Sequence, residues 1–160
     1  MHKVMRCLLL ATVLGFCSCG PKFPELPVSE IEPYFEGAAK TKAMDTAYYQ
    51  VKDAQGKMLG TVLFSSPYSD EVEGFNGPTP LLIIIDAEGR IQKVVLLENQ
   101  ETPRFAQRVV DGGLYEAWNS LTVDEALNKD VDAISGATYT SNGVKQSLAA
   151  RLKAYKRQLK

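Results

Sequence analysis

Strand-forming residues gather in four short runs, and the polar stretches between them set how the runs pair. Residues 47–51 and 59–64 are rich in Tyr, Val, Leu and Phe, and the polar Lys52-Asp53-Ala54-Gln55-Gly56-Lys57 between them supplies a turn, which predicts a hairpin. A second pair, residues 81–85 and 91–97, is joined by Asp86-Ala87-Glu88-Gly89. Leu81-Leu82-Ile83-Ile84-Ile85 has no polar face, as expected of a central strand covered on both sides.

Helical spacing takes over in the second half of the chain. Val144, Leu148, Leu152, Tyr155 and Leu159 form one apolar stripe, while Lys145, Arg151, Lys153, Lys156 and Arg157 fill the other faces. Phe105, Val109, Leu114 and Trp118 also read as helical, interrupted by Gly112-Gly113, with Trp118 expected in the core. Residues 121–127 suggest a short helix capped by Thr122, with Glu125 completing a capping box. Near the start, Ser29 is a plausible N-cap for a helix through Ile31, Tyr34, Phe35 and Ala38, with Pro33 tolerable only in its first turn. Strands followed by helices argue for a single α+β domain, an antiparallel sheet from two hairpins with packed helices, and against a doubly wound parallel sheet. The expected core includes Leu81, Ile83, Ile85, Val94, Leu96, Trp118, Leu148 and Leu152.

The first residues read differently. Residues 1–18 resemble a signal peptide, with His2, Lys3 and Arg6 ahead of an apolar run, residues 8–14, too short to span a membrane. The small-residue rule favours cleavage between Ser18 and Cys19, as in a bacterial lipoprotein signal, with lipidation at Cys19; a plain secretory peptide cut nearby is the alternative. Residues 19–28, with Pro21, Pro24 and Pro27, form a tether, and residues 29–160 form the domain. The expected location is the cell envelope, anchored by lipid on the extracytoplasmic, periplasmic side of a bacterial membrane.

Cleavage there narrows the chemistry. Cys7, Cys17, Cys19 and His2 are the only cysteines and the only histidine, so the mature domain has no internal thiol and no imidazole. Disulfides, Cys/His zinc sites and His-dependent nucleophiles are excluded, and a redox role requires a cofactor. Loss of Lys3 and Arg6 from 18 basic residues leaves 16 against 19 acidic ones, a net charge of −3 that suits no nucleic acid.

The most informative stretch is Asp132-Ala133-Ile134-Ser135-Gly136-Ala137-Thr138-Tyr139-Thr140-Ser141, a small-residue loop running into the last helix. Thr140 or Ser141 is a natural N-cap, which places Thr138 just ahead of a helix N-terminus, where free N–H groups favour a phosphate. Ser135, Gly136 and Ala137 keep the approach open. A polar turn before a capped helix accounts for Ser141 and Gly136 without any ligand. Thr102 before Pro103 likewise fits an N-cap with proline at the first helical position.

Asp132 to Thr138 closely resembles the flavinylation motif of the FMN-binding domain family, which includes the covalent-flavin subunits of the Na⁺-translocating quinone reductase and Rnf complexes. Gly74-Phe75-Asn76-Gly77-Pro78 and Glu101-Thr102-Pro103 resemble its front half. The resemblance implies FMN held by a phosphoester on Thr138, with Asp132, Ser135, Gly136 and Ala137 as the rest of the motif and Glu101 and Thr102 as further cofactor contacts. It also implies a flavin transferase that uses FAD and Mg²⁺, and redox partner proteins. Ala133 replaces a frequent glycine, and Arg104 stands where a glycine usually follows the Glu-Thr-Pro triplet. The implied function is a membrane-anchored electron carrier. A small flavin-dependent reductase and a non-redox lipoprotein scaffold are the rivals, separable by colour and by turnover of a soluble acceptor.

Overall fold

The computed structural model describes residues 23–160, so the signal peptide and Cys19 lie outside the described residues. Five strands form one antiparallel sheet in sequential order: β1 (Lys40–Ala43), β2 (Tyr48–Lys52), β3 (Met58–Phe64), β4 (Leu81–Asp86) and β5 (Ile91–Leu96). Three helices follow, α1 (Pro103–Asp111), α2 (Val123–Asn128) and α3 (Thr138–Gln158), with a 3-10 turn at Tyr115–Trp118. The α+β class and both expected hairpins are present. β1 is an addition: a short polar strand on the edge, with Thr41 opposite Val51.

β4 shows why a strand needs no polar face when both sides are covered. Ile83 lies opposite Leu63 of β3 and Val94 of β5. Leu81, Ile83 and Ile85 point into a core completed by Val109, Leu114, Trp118, Val144, Leu148 and Leu152. Leu82 and Ile84 point the other way, against Leu26, Ile31, Phe35, Tyr49, Val51 and Val62. Each such fully buried aliphatic side chain contributes about 1.5–3 kcal/mol of burial. Of the expected core, only Leu96 stays partly exposed, packed at the margin.

The expected helix from Ser29 does not form. A 3-10 turn at Val28–Glu30, preceded by Pro27, gives way to irregular turns at Pro33, which cannot continue a hydrogen-bonded helix. Its apolar residues keep their task, since Ile31 and Phe35 are buried over the second face of the sheet. In α3 the stripe of Val144, Leu148, Leu152 and Tyr155 is buried, but Leu159 at its end is exposed. Arg151, expected on a solvated face, is fully buried. Its Nη2 donates to the carbonyl of Ala47 at 3.2 Å, and its guanidinium lies 4.5 Å from the Tyr68 ring centroid, because the segment after β3 folds over the helix. The capping box at Thr122 and Glu125 is present as expected.

Candidate functional site

The long connection between β3 and β4 is held against α3. Thr79 Oγ1 and Ser147 Oγ are 3.1 Å apart and buried. One turn nearer the helix start, Gly143 faces Gly74: a Cβ at Gly143 would fall 2.8 Å from Gly74 Cα and 3.0 Å from its nitrogen. The missing side chain of Gly143 thus lets loop backbone touch helix backbone, while that of Gly74 leaves room for the Glu101 carboxylate, 2.4 Å from where its Cβ would lie. That contact places Phe75 and Asn76 beside the start of α3.

Glu101 fastens the same corner. Its carboxylate is buried and accepts two hydrogen bonds, from the backbone N–H of Asn76 at 2.9 Å and from Thr140 Oγ1 at 2.5 Å. Asn76 Nδ2 in turn donates to the Gln100 carbonyl at 2.6 Å. The carboxylate therefore ties the loop to the helix from beneath. Thr102 occupies the N-cap of α1 with Pro103 in the first turn, but its side chain makes no capping bond.

The motif loop enters α3 earlier than the capping preferences of Thr140 and Ser141 suggest. Ala137 is the N-cap and Thr138 the first helical residue. Thr140 and Ser141 sit inside the first turn because their hydroxyls have other partners: Thr140 bonds Glu101, while Ser141 Oγ donates to the Ala137 carbonyl at 2.9 Å and accepts from Ile134 N–H at 3.1 Å. Ala137 packs in the core, Asp132 and Ser135 are exposed, and Gly136 turns the chain at φ +76°. Thr138 is exposed, and as the start of α3 it belongs to a turn whose first N–H groups have no helical acceptors.

Phe75, Phe105 and residues 136–140 line a cleft of about 210 Å³ at this corner. Phe75 and Phe105 meet edge to face with centroids 4.8 Å apart, and Tyr139 lies 6.4 Å from Phe75. Phe75 is 54% and Tyr139 71% exposed, leaving ring faces open to a planar partner. Arg104 stacks over Phe105 at 5.0 Å, and Arg108 crosses the loop at Gly136. In the sequence Tyr139 and Arg108 stand out for no role, and Phe105 stands out only as a helical position. The available signal was an aromatic residue directly after the motif threonine. Among the described residues there is no group of three or more His, Cys, Asp or Glu side chains able to hold a metal, and no helix long and apolar enough to cross a membrane.

An apolar, aromatic cleft beside a helix N-terminus, with one free threonine hydroxyl at its rim, defines a site for a flat cofactor that ends in a phosphate. The model of the FMN-binding domain matches residues 74–153, half of the chain, so the chain belongs to the FMN-binding domain family. The matched stretch runs from the loop glycine through the motif into α3, while β1 to β3 precede it and continue the same sheet. The crystal structure of NqrC from Shewanella oneidensis is similar, at 21% identity and a TM-score of 0.47, covering 79% of this chain and 70% of that one. No curated protein matches the chain.

Proposed function

We propose that this protein carries FMN covalently, through a phosphoester on Thr138, and relays electrons as a lipid-anchored carrier outside the cytoplasm. The observation that carries the reading is the state of the motif hydroxyls. Thr140 and Ser141 spend theirs on internal hydrogen bonds, whereas Thr138 is exposed and lines the cleft. Ser135 is exposed as well, but it does not line the cleft.

The residues fit the group. The glycine contact of Gly74 with Gly143 shapes the loop that presents Phe75, and the aromatic rings offer faces for an isoalloxazine. The N–H groups left without helical acceptors at the start of α3 suit a phosphate. In loading, Thr138 Oγ forms a bond to the flavin-side phosphorus of FAD. The P–O bond to AMP breaks, AMP leaves with the electron pair, and the hydroxyl proton passes to a base on the Mg²⁺-dependent transferase. Bound flavin supplies reversible one- and two-electron chemistry. The protein's part is to hold it, shield one side from water and leave the other for redox partners. Ser135, Gly136 and Ala137 keep the threonine accessible, and Asp132 marks the entry to the loop for the transferase.

The test is to co-express the protein with the transferase, denature it and map the flavin. Thr138→Ala should abolish covalent flavin while the fold survives. Ser135→Ala should keep at least part of it. Flavin on another residue, or none on protein exposed to an active transferase, overturns the assignment. Turnover of a soluble acceptor by the isolated loaded protein would instead favour a reductase.

A further inference from the structure

We infer that Arg108 is the cationic clamp for the cofactor phosphate, the residue that holds the linkage against the motif loop. The inference rests on the reading of Thr138 as the attachment point.

The argument begins at Gly136. A Cβ built there would lie 2.3 Å from Arg108 Nη1, 3.3 Å from its Cζ and 3.5 Å from its Cδ. The guanidinium, Nη1 foremost, therefore lies against the one position of the loop that has no side chain. Gly136 also has φ +76°, which an L side chain rarely adopts, so the backbone conformation selects glycine and leaves the space that the Arg108 guanidinium fills. Thr138 follows two residues later; with about 3.8 Å between consecutive Cα atoms, its Cα is within ~7.6 Å of that of Gly136. A phosphate on Thr138 Oγ is within reach of the guanidinium.

The charge of Arg108 is available. The ion pairs among the described residues are Arg90 with Glu125, Lys93 with Glu116 and Lys156 with Asp124, and none involves Arg108. The nearby acid of the site, Glu101, is buried and spends both oxygens on Asn76 and Thr140. On the same helix, Asp111 accepts from Gln107 at 2.8 Å. A guanidinium presents a planar fork of donors that matches two phosphate oxygens at once, which a lysine does not. A phosphodiester on Thr138 keeps one negative charge at neutral pH, and the first N–H groups of α3 are further donors for it. Arg104, one turn earlier on α1, is stacked on Phe105 and serves the aromatic side of the cleft.

The test uses the mature chain with Arg108→Gln, Arg108→Lys and, as a control for a distant exposed cation, Arg90→Gln. Each is loaded with FAD, Mg²⁺ and the transferase. Covalent flavin is followed by intact mass, and the thermal midpoint is measured before and after loading. Wild type and Arg90→Gln should gain roughly 2–5 °C on loading, Arg108→Gln should gain little or nothing, and Arg108→Lys should fall between. Initial loading of Arg108→Gln should be roughly three- to tenfold slower, with the deficit shrinking at high salt. An equal thermal gain in loaded wild type and loaded Arg108→Gln overturns the clamp, even where loading is slow, because slow loading alone then reports contact with the transferase. A wild type that gains nothing on loading overturns it too. Absence of Thr138-linked flavin on wild type strikes the parent reading instead, so the two failures are distinguishable.

Discussion

Thr140 Oγ1 donates to Glu101 Oε2 at 2.5 Å, joining the first turn of α3 to the segment just before α1 across thirty-nine positions of chain. Both residues are buried, and the second carboxylate oxygen takes the N–H of Asn76. One side chain thereby fixes the relative positions of loop, helix start and cleft. Glu101→Ala leaves the buried Thr140 hydroxyl and the part-buried Asn76 N–H without their acceptor and should cost about 2–4 kcal/mol. Thr140→Val removes only the hydroxyl. A double-mutant cycle by urea unfolding should give a coupling of about 1–2 kcal/mol, and additive effects would show that the bond contributes nothing specific.

Gly143 tests the backbone contact. In a helix interior, glycine to alanine usually stabilises by about 0.5–1 kcal/mol. Here the added Cβ meets loop backbone at 2.8 Å, and backbone cannot rotate aside as a side chain can. Gly143→Ala should therefore destabilise, by about 1–3 kcal/mol, and push Phe75 off the cleft. Lower flavin loading at unchanged helix content is the second expected readout. A variant more stable than wild type shows that the loop yields freely.

The two hairpins were legible because alternation and turn chemistry are local. Residues 81–85 even announced a doubly covered strand. β1 was not legible: Lys40-Thr41-Lys42-Ala43 has no strand composition and becomes a strand only by pairing with β2. Its lysines suit an edge that should not recruit further strands. The capping preferences of Thr140 and Ser141 misplaced the start of α3 because the Thr140 hydroxyl is claimed by Glu101, thirty-nine positions away, while that of Ser141 turns back onto Ala137 and Ile134 of its own loop. Arg151 was misread for the same reason, since Ala47 and Tyr68 are distant in sequence. The motif itself was readable as residues. What made Thr138 its free hydroxyl was readable only in three dimensions.

Cys19 lies outside the described residues, and its role as a lipid anchor is a proposal from the Ser18-Cys19 junction. Exported wild-type protein should partition with membranes and into the detergent phase after extraction. Cys19→Ala should be misprocessed or released to the soluble extracytoplasmic fraction, with flavin loading of the folded domain retained. Intact mass showing an unmodified N-terminus at another residue would sink the lipoprotein reading.

Tyr115 offers a test by pH. Its ring is buried, and its hydroxyl is enclosed without a hydrogen-bond partner among the described residues. Burial, followed by the charges of Glu101 and Glu116, pushes its pKa up to about 12. In the unfolded chain a tyrosine ionises near 10. Between those values the unfolded state binds fewer protons than the folded state, so stability falls as pH rises from about 10 towards 12. Below pH 10 the phenol is neutral in both states and contributes no slope. Tyr115→Phe removes both the orphan hydroxyl and its titration. At pH 8 the variant should equal or exceed wild type in urea unfolding, because a buried hydroxyl without a partner costs free energy. At pH 11 the gap should widen in favour of phenylalanine, since the other tyrosines are shared by both proteins and cancel in the comparison. A loss of more than about 1 kcal/mol at pH 8 reveals a partner for the hydroxyl, and a gap that does not change with pH shows that Tyr115 does not titrate differently on folding.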